Sequence, residues 1–166
     1  MLTIIESKSR LRGWVRVAAV LGGAALTLGF IAGRAFASST AVSDNRHFTD
    51  SIGHHWGNWS SVHCCAGYQP PLEHANSVET ALWSEDSSTV GVGYMGVRPY
   101  KRDVNGNVAC MGDWYYNTTS YYSVSQIDCY GTTAQTWRSQ GNTEVWRGSA
   151  LGYQAFWTYL SPALTS

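Results

Sequence analysis

The sequence predicts an all-β fold: an antiparallel β-sandwich or barrel of about six to eight short strands, stapled by disulfides and preceded by a signal peptide. Three observations predict it. From residue 77 onward, runs rich in Val, Thr, Tyr and Trp alternate with turn residues at a spacing of roughly 8 to 12 positions. All four cysteines (Cys64, Cys65, Cys110 and Cys129) lie beyond residue 37. The first 37 residues differ from the rest in charge and composition.

Residues 1–37 hold five bases and one acid, and residues 38–166 hold six bases and ten acids. The first part reads as a targeting segment. A basic start leads into "VAAVLGGAALTLGFIAG", uncharged from Val17 to Gly33, and then "AFA", with small residues at Ala35 and Ala37 where a signal peptidase would cut. The alternative is a retained membrane anchor, but four glycines and a core shorter than the about 20 residues of a spanning helix argue for cleavage after Ala37. Arg10-Leu-Arg12 is interrupted, so a twin-arginine route is not expected. The long basic start and Ala/Gly-rich core resemble the leaders of Gram-positive bacterial secreted proteins, a resemblance limited to the leader. An even cysteine count in an exported chain predicts disulfides.

The remaining residues suit one domain. Residues 38–50 are polar and read as a flexible N-terminal arm, and residues 51–166 as a single β-rich domain. In "SIGHHWGNWSSVHCCAGYQPP" (51–71), Cys64 and Cys65 are neighbours. A bond between them would close a strained eight-membered ring, so each is expected to bond to Cys110 or Cys129 and tie a loop 51–71 onto the sheet. Sequence does not choose between the two crosslinked forms.

Two readings compete for "PPLEHANSVETALWSED". Apolar residues near helical spacing after Pro71 allow a single short helix near 71–83, while Val78, Thr80 and Leu82 alternate as a strand would. In the strand reading "SEDSS" closes a hairpin onto "TVGVGYMGV". Asn105-Gly106 then sits between two strand-like runs and predicts a tight hairpin turn. "ACMGDWYY" is the return strand and "SYYSVSQIDCY" a long strand. Gln140-Gly141-Asn142 is a second hairpin candidate between "TAQTWRS" and "TEVWRG". "GYQAFWTYL" places Tyr153, Ala155, Trp157 and Tyr159 on one face.

Beyond residue 37 the chain holds seven tryptophans, ten tyrosines and two phenylalanines, with few leucines and isoleucines. The core is therefore expected to use aromatic rings. Nineteen rings exceed what one small core hides, so some face water, where ring faces suit the C–H side of sugars or another protein. The expected function is a secreted, non-catalytic binding protein for cell-envelope or other extracellular carbohydrate, or for a protein partner. The candidate ligand-binding residues are Trp56, Trp59, Tyr68, Trp114, Tyr115 and Tyr122. The competing readings are a bacteriocin-like antibacterial protein, a small glycan hydrolase, and a self-assembling surface protein. A net charge of −4 beyond the leader argues against a nucleic-acid partner, and the one basic cluster, Arg98, Lys101 and Arg102, reads as a solvated hairpin end. No membrane contact is expected except through the leader.

His55, His63 and His74 are weak metal candidates, provided the loop folds back to bring them together. No helical His pair and no hydrolase, P-loop or dinucleotide motif is present. No cofactor is expected.

Overall fold

The structure is a computed structural model that describes residues 39–65 and 75–166. The leader, Tyr68, His74 and the first part of the 71–83 segment lie outside the described residues. Within them the fold is all-β with eleven strands: β1 (Ser39–Val42), β2 (Arg46–Thr49), β3 (His55–Cys64), β4 (Asn76–Ser84), β5 (Met95–Arg102), β6 (Val108–Met111), β7 (Tyr115–Tyr116), β8 (Ser123–Gly131), β9 (Thr136–Trp146), β10 (Tyr153–Trp157) and β11 (Leu164–Thr165).

Two antiparallel sheets form. In the first, β1 and β2 lie end to end along one edge of β3, followed by β4 and β8. In the second, β10 and β11 lie end to end along β9, followed by β5 and then by β6 and β7. Splitting the outer strands into short pieces explains why the count exceeds the expected six to eight.

Several expectations change. Residues 38–50 are not a loose arm where they are described: β1 and β2 pair with β3, and Phe48 stacks on Phe156 of the opposite sheet with centroids 3.8 Å apart. The polar composition hid this because alternate residues of an edge strand face water. Residues 55–64 are not a loop but a central strand. From Asn76 the ambiguous segment is strand, so no helix forms in its described part. "TVGVGY" holds an isolated bridge from Val90 to Tyr121 and a turn at Val92-Gly93 instead of a strand, and β5 starts only at Met95.

A hairpin does reverse at Asn105-Gly106, but through a loop of residues 103–107 rather than a tight two-residue turn, with Gly106 at φ 87°. Gly141 is not a turn: β9 runs unbroken through it, and the residue is glycine because Thr80 of the facing sheet occupies the space a side chain would need. A Cβ there would fall 2.1 Å from Thr80 Oγ1.

The interior holds two apolar clusters. One comprises Trp56, Leu82, Met95, Val97, Val124 and Val145, and the other Val62, Val78, Cys129 and Trp137. Between them lies a buried polar belt. Asn58 Nδ2 donates to Thr143 Oγ1 (2.8 Å), Thr158 Oγ1 to Ser60 Oγ (3.0 Å), and Ser60 Oγ to the Ser139 carbonyl (3.2 Å). These bonds offset the cost of burying polar groups, although Asn58 Oδ1 meets no hydrogen-bond partner among the described residues. Aromatic rings contribute Trp56 and Trp137 to the buried core, whereas the described tyrosines all lie outside it. The core is therefore more aliphatic than the composition suggested.

Cys110 of β6 bonds to Cys129 of β8, with Cα atoms 5.8 Å apart, so a staple joins edge strands of opposite sheets. Cys64 bonds to Cys65. The expected long crosslinks from 64 and 65 do not form. A bulge in β8, where Cys129 has φ 58°, interrupts the alternation that would point Cys129 outward and swings it against Cys110. Cys64 and Cys65 are left with each other, and Cys65 takes φ 63°.

Candidate functional site

The candidate site is a groove on the outer face of the first sheet. Inward positions of β3 (Trp56, Asn58, Ser60, Val62) and β4 (Val78, Thr80, Leu82) fill the interior. The pleat therefore sends Gly57, Trp59, Ser61 and His63 outward on β3, and Glu79, Ala81 and Trp83 outward on β4. The register sets Trp59 beside Ala81, and Ala81 beside Ser125 of β8. Gly57 sits beside Trp83, and Trp83 beside Ser123.

Trp59 and Trp83 are thus diagonal cross-strand neighbours, roughly 7–8 Å apart at the backbone. Two small residues make the concavity. Ala81 floors it between the indoles, and Gly57 lets the Trp83 ring lie flat across its backbone, where a Cβ would fall 2.2 Å from Trp83 Cζ2. The resulting cavity measures about 500 Å³ and is lined by Trp59, Glu79, Ala81, Trp83, Tyr122 and Ser125, among others.

Glu79 supplies the carboxylate in this lining. Its Oε2 lies 3.2 Å from His63 Nε2, which also meets Ser61 Oγ at 2.8 Å, while Thr40 Oγ1 lies 3.2 Å from His63 Nδ1. The imidazole thereby fixes one carboxylate oxygen. Among the described residues neither indole N–H of Trp59 and Trp83 is matched with a protein acceptor, and neither ring packs against another ring. Ring faces, two donors, a carboxylate and the hydroxyls of Ser123 and Ser125 all remain available to a ligand.

The outer face of the second sheet is richer in rings but differently disposed. Tyr116 contacts Trp114 (centroids 6.1 Å) and Tyr153 (5.5 Å), Tyr153 contacts Trp146 (5.0 Å), and Tyr100 contacts Trp157 (5.1 Å). Arg98 and Arg102 stack on Tyr100 and Trp157. Tyr116 donates to Glu144 Oε1 (2.5 Å), and Tyr153 to the Gly93 carbonyl (2.5 Å). Burial, reinforced by Glu144, pushes both phenols above their ordinary pKa and keeps them neutral. These rings satisfy one another and act as an outer packing layer.

The structure separates the sequence-derived candidates. Trp59 and Tyr122 meet in the groove. Trp114 belongs to the second sheet's aromatic layer, and Tyr115 lines a small separate cavity of about 180 Å³ with Tyr121 and Asn117. Trp56 is buried, 2% exposed, with its Nε1 donating to Asp50 Oδ2 (3.0 Å), so it cannot be an outward platform. Tyr68 lies outside the described residues. Sequence reasoning missed Trp83, Glu79 and Ala81. Their signal was the Val78, Thr80, Leu82 alternation, which assigns 79, 81 and 83 to the opposite face once a strand is accepted.

The histidines do not converge. His55 and His63 sit eight positions apart on one extended strand, roughly 26 Å by strand rise, so the stretch between them does not fold back to bring them together. His55 Nδ1 lies 3.0 Å from Thr49 Oγ1. His74 lies outside the described residues, and among those described no three His, Cys, Asp or Glu side chains gather as a metal site. Lys101 is not solvated at a hairpin end but buried between the sheets.

Fold and groove define an antiparallel β-sandwich with a ring-lined outer cleft. Comparison with protein-family models, with curated proteins and with solved structures finds no match for this chain.

Proposed function

We propose that this protein is an exported, non-catalytic carbohydrate-binding domain that holds cell-envelope or other extracellular glycan in the groove between Trp59 and Trp83. The observation that carries the reading is the pairing of two indoles, unmatched by other rings or acceptors among the described residues, across an alanine floor beside a held carboxylate. A pyranose ring presents C–H groups on its faces and hydroxyls at its rim. Indole faces desolvate the former, and Glu79, Ser123, Ser125 and the indole N–H groups meet the latter.

The single carboxylate among the described lining residues supports binding over hydrolysis, because glycoside cleavage uses a pair flanking the bond. Export rests on the leader, and the Cys110–Cys129 bond is consistent with an oxidising compartment.

The test is a tryptophan-fluorescence titration with hexamers of N-acetylglucosamine and of glucose, alongside co-sedimentation with purified cell-wall sacculi. Trp59→Ala and Trp83→Ala should each weaken binding about tenfold, ~1.4 kcal/mol. If the wild type responds to none of these glycans while a protein partner protects both indoles, the groove is a protein-docking site instead.

A further inference from the structure

Asn76 opens β4 in the first sheet, and Lys101 lies on β5 in the second. Both side chains point into the sandwich, at 5% and 4% exposure. Lys101 Nζ lies 2.5 Å from Asn76 Oδ1, and the Trp137 ring centroid lies 5.1 Å from the same Nζ. Gly131 of β8 closes the third side, and a Cβ there would approach Nζ to 3.2 Å and Oδ1 to 3.3 Å. Asn76 Nδ2 points toward the Thr133 carbonyl (3.3 Å) and Ser166 Oγ (3.4 Å), so the amide is held with its oxygen toward the lysine and its nitrogen toward a hydroxyl.

A charged ammonium in such a place is poorly solvated, and among the described residues no carboxylate pairs with it. Burial lowers the Lys101 pKa, which favours the neutral, nucleophilic amine.

We propose that Lys101 and Asn76 condense into an intramolecular amide that joins the two sheets covalently. Lys101 Nζ attacks Asn76 Cγ. The Nζ–Cγ bond forms, the Cγ–Nδ2 bond breaks, and one proton passes from Nζ to Nδ2, which leaves as ammonia. Ser166 Oγ is within reach of the departing nitrogen. No oxidant, reductant or co-reactant is required. The product is a neutral secondary amide, which leaves no ionisable amine in the buried site. Holding amine and amide together in a closed site supplies the effective concentration that ordinary amide aminolysis lacks.

Peptide mapping of the purified full-length chain after disulfide reduction tests this, because the readout does not depend on where the mature chain begins. The expected result is a branched peptide joining the segments that carry residues 76 and 101, lighter than their sum by one ammonia. It should be absent in Lys101→Arg and Asn76→Ala, with a lowered melting temperature in both variants. Recovery of the two wild-type segments as separate peptides, with residue 101 as free lysine and residue 76 as unmodified asparagine, overturns the proposal. The wild-type map decides the matter even where a variant fails to fold.

Discussion

The Trp83 indole lies across the backbone of Gly57 on the neighbouring strand, where a Cβ would fall 2.2 Å from Trp83 Cζ2. This contact sets one wall of the groove. Gly57→Ala should push the indole off its seat. Because Trp83 is only half-buried, the ring can swing out, and the stability loss should stay near the low end of overpacking, about 1 kcal/mol. Glycan affinity should fall as far as in Trp83→Ala. Chemical denaturation paired with the fluorescence titration checks both halves.

The two disulfides should differ widely in their effect on stability. Cys110–Cys129 spans 19 positions and joins the sheets, whereas Cys64–Cys65 spans one. Loop entropy assigns about 3 kcal/mol to a closed loop of the longer kind and little to the shorter. The double variant Cys110→Ala/Cys129→Ala should therefore lose about 3 kcal/mol, clearly more than Cys64→Ala/Cys65→Ala, in urea unfolding under identical conditions.

Phe48 and Phe156 close the side of the sandwich opposite the Cys110–Cys129 staple. Phe48→Ala should cost about 3 kcal/mol. A null effect in thermal unfolding would return residues 39–49 to the status of a dispensable arm.

Asp50 organises the turn before β3. Burial alone would raise its pKa, but the Trp56 indole N–H and the backbone N–H groups of His54 and Ile52 outweigh burial and hold it below the usual carboxylate range. A depressed folded-state pKa contributes stability that is fully present above the unfolded value near 3.8 and is lost as pH falls through the folded value. Stability should therefore decline below about pH 4, and Asp50→Asn should flatten that decline while lowering stability at neutral pH. Denaturation midpoints measured from pH 2 to 7 provide the check.

The all-β class, the hairpin at Asn105-Gly106 and the two faces of β10 were legible because period-2 alternation and turn chemistry are local signals. What sequence could not show arose from contacts between distant segments. Gly141 looks like a turn residue, and the facing Thr80 explains why a strand carries a glycine there. Trp56 and Trp59 look equivalent in "HHWGNWSS", yet the pleat buries one and exposes the other. The cysteine pairing turned on a bulge at Cys129. Half of the groove was visible as Trp59 and Tyr122. Trp83 was hidden because helix and strand readings of its segment were evenly matched, and only the strand places it beside Trp59.

The indole N–H resonances of the tryptophans offer the most direct test of the groove. They should be followed by two-dimensional NMR of the ¹⁵N-labelled protein during titration with N-acetylglucosamine and glucose hexamers. A glycan held in the groove should give saturable shifts of Trp59 and Trp83 together, with Trp56 and Trp137 unmoved. Shifts confined to Trp114, Trp146 and Trp157 of the second sheet, or no shift with either oligosaccharide, would contradict it.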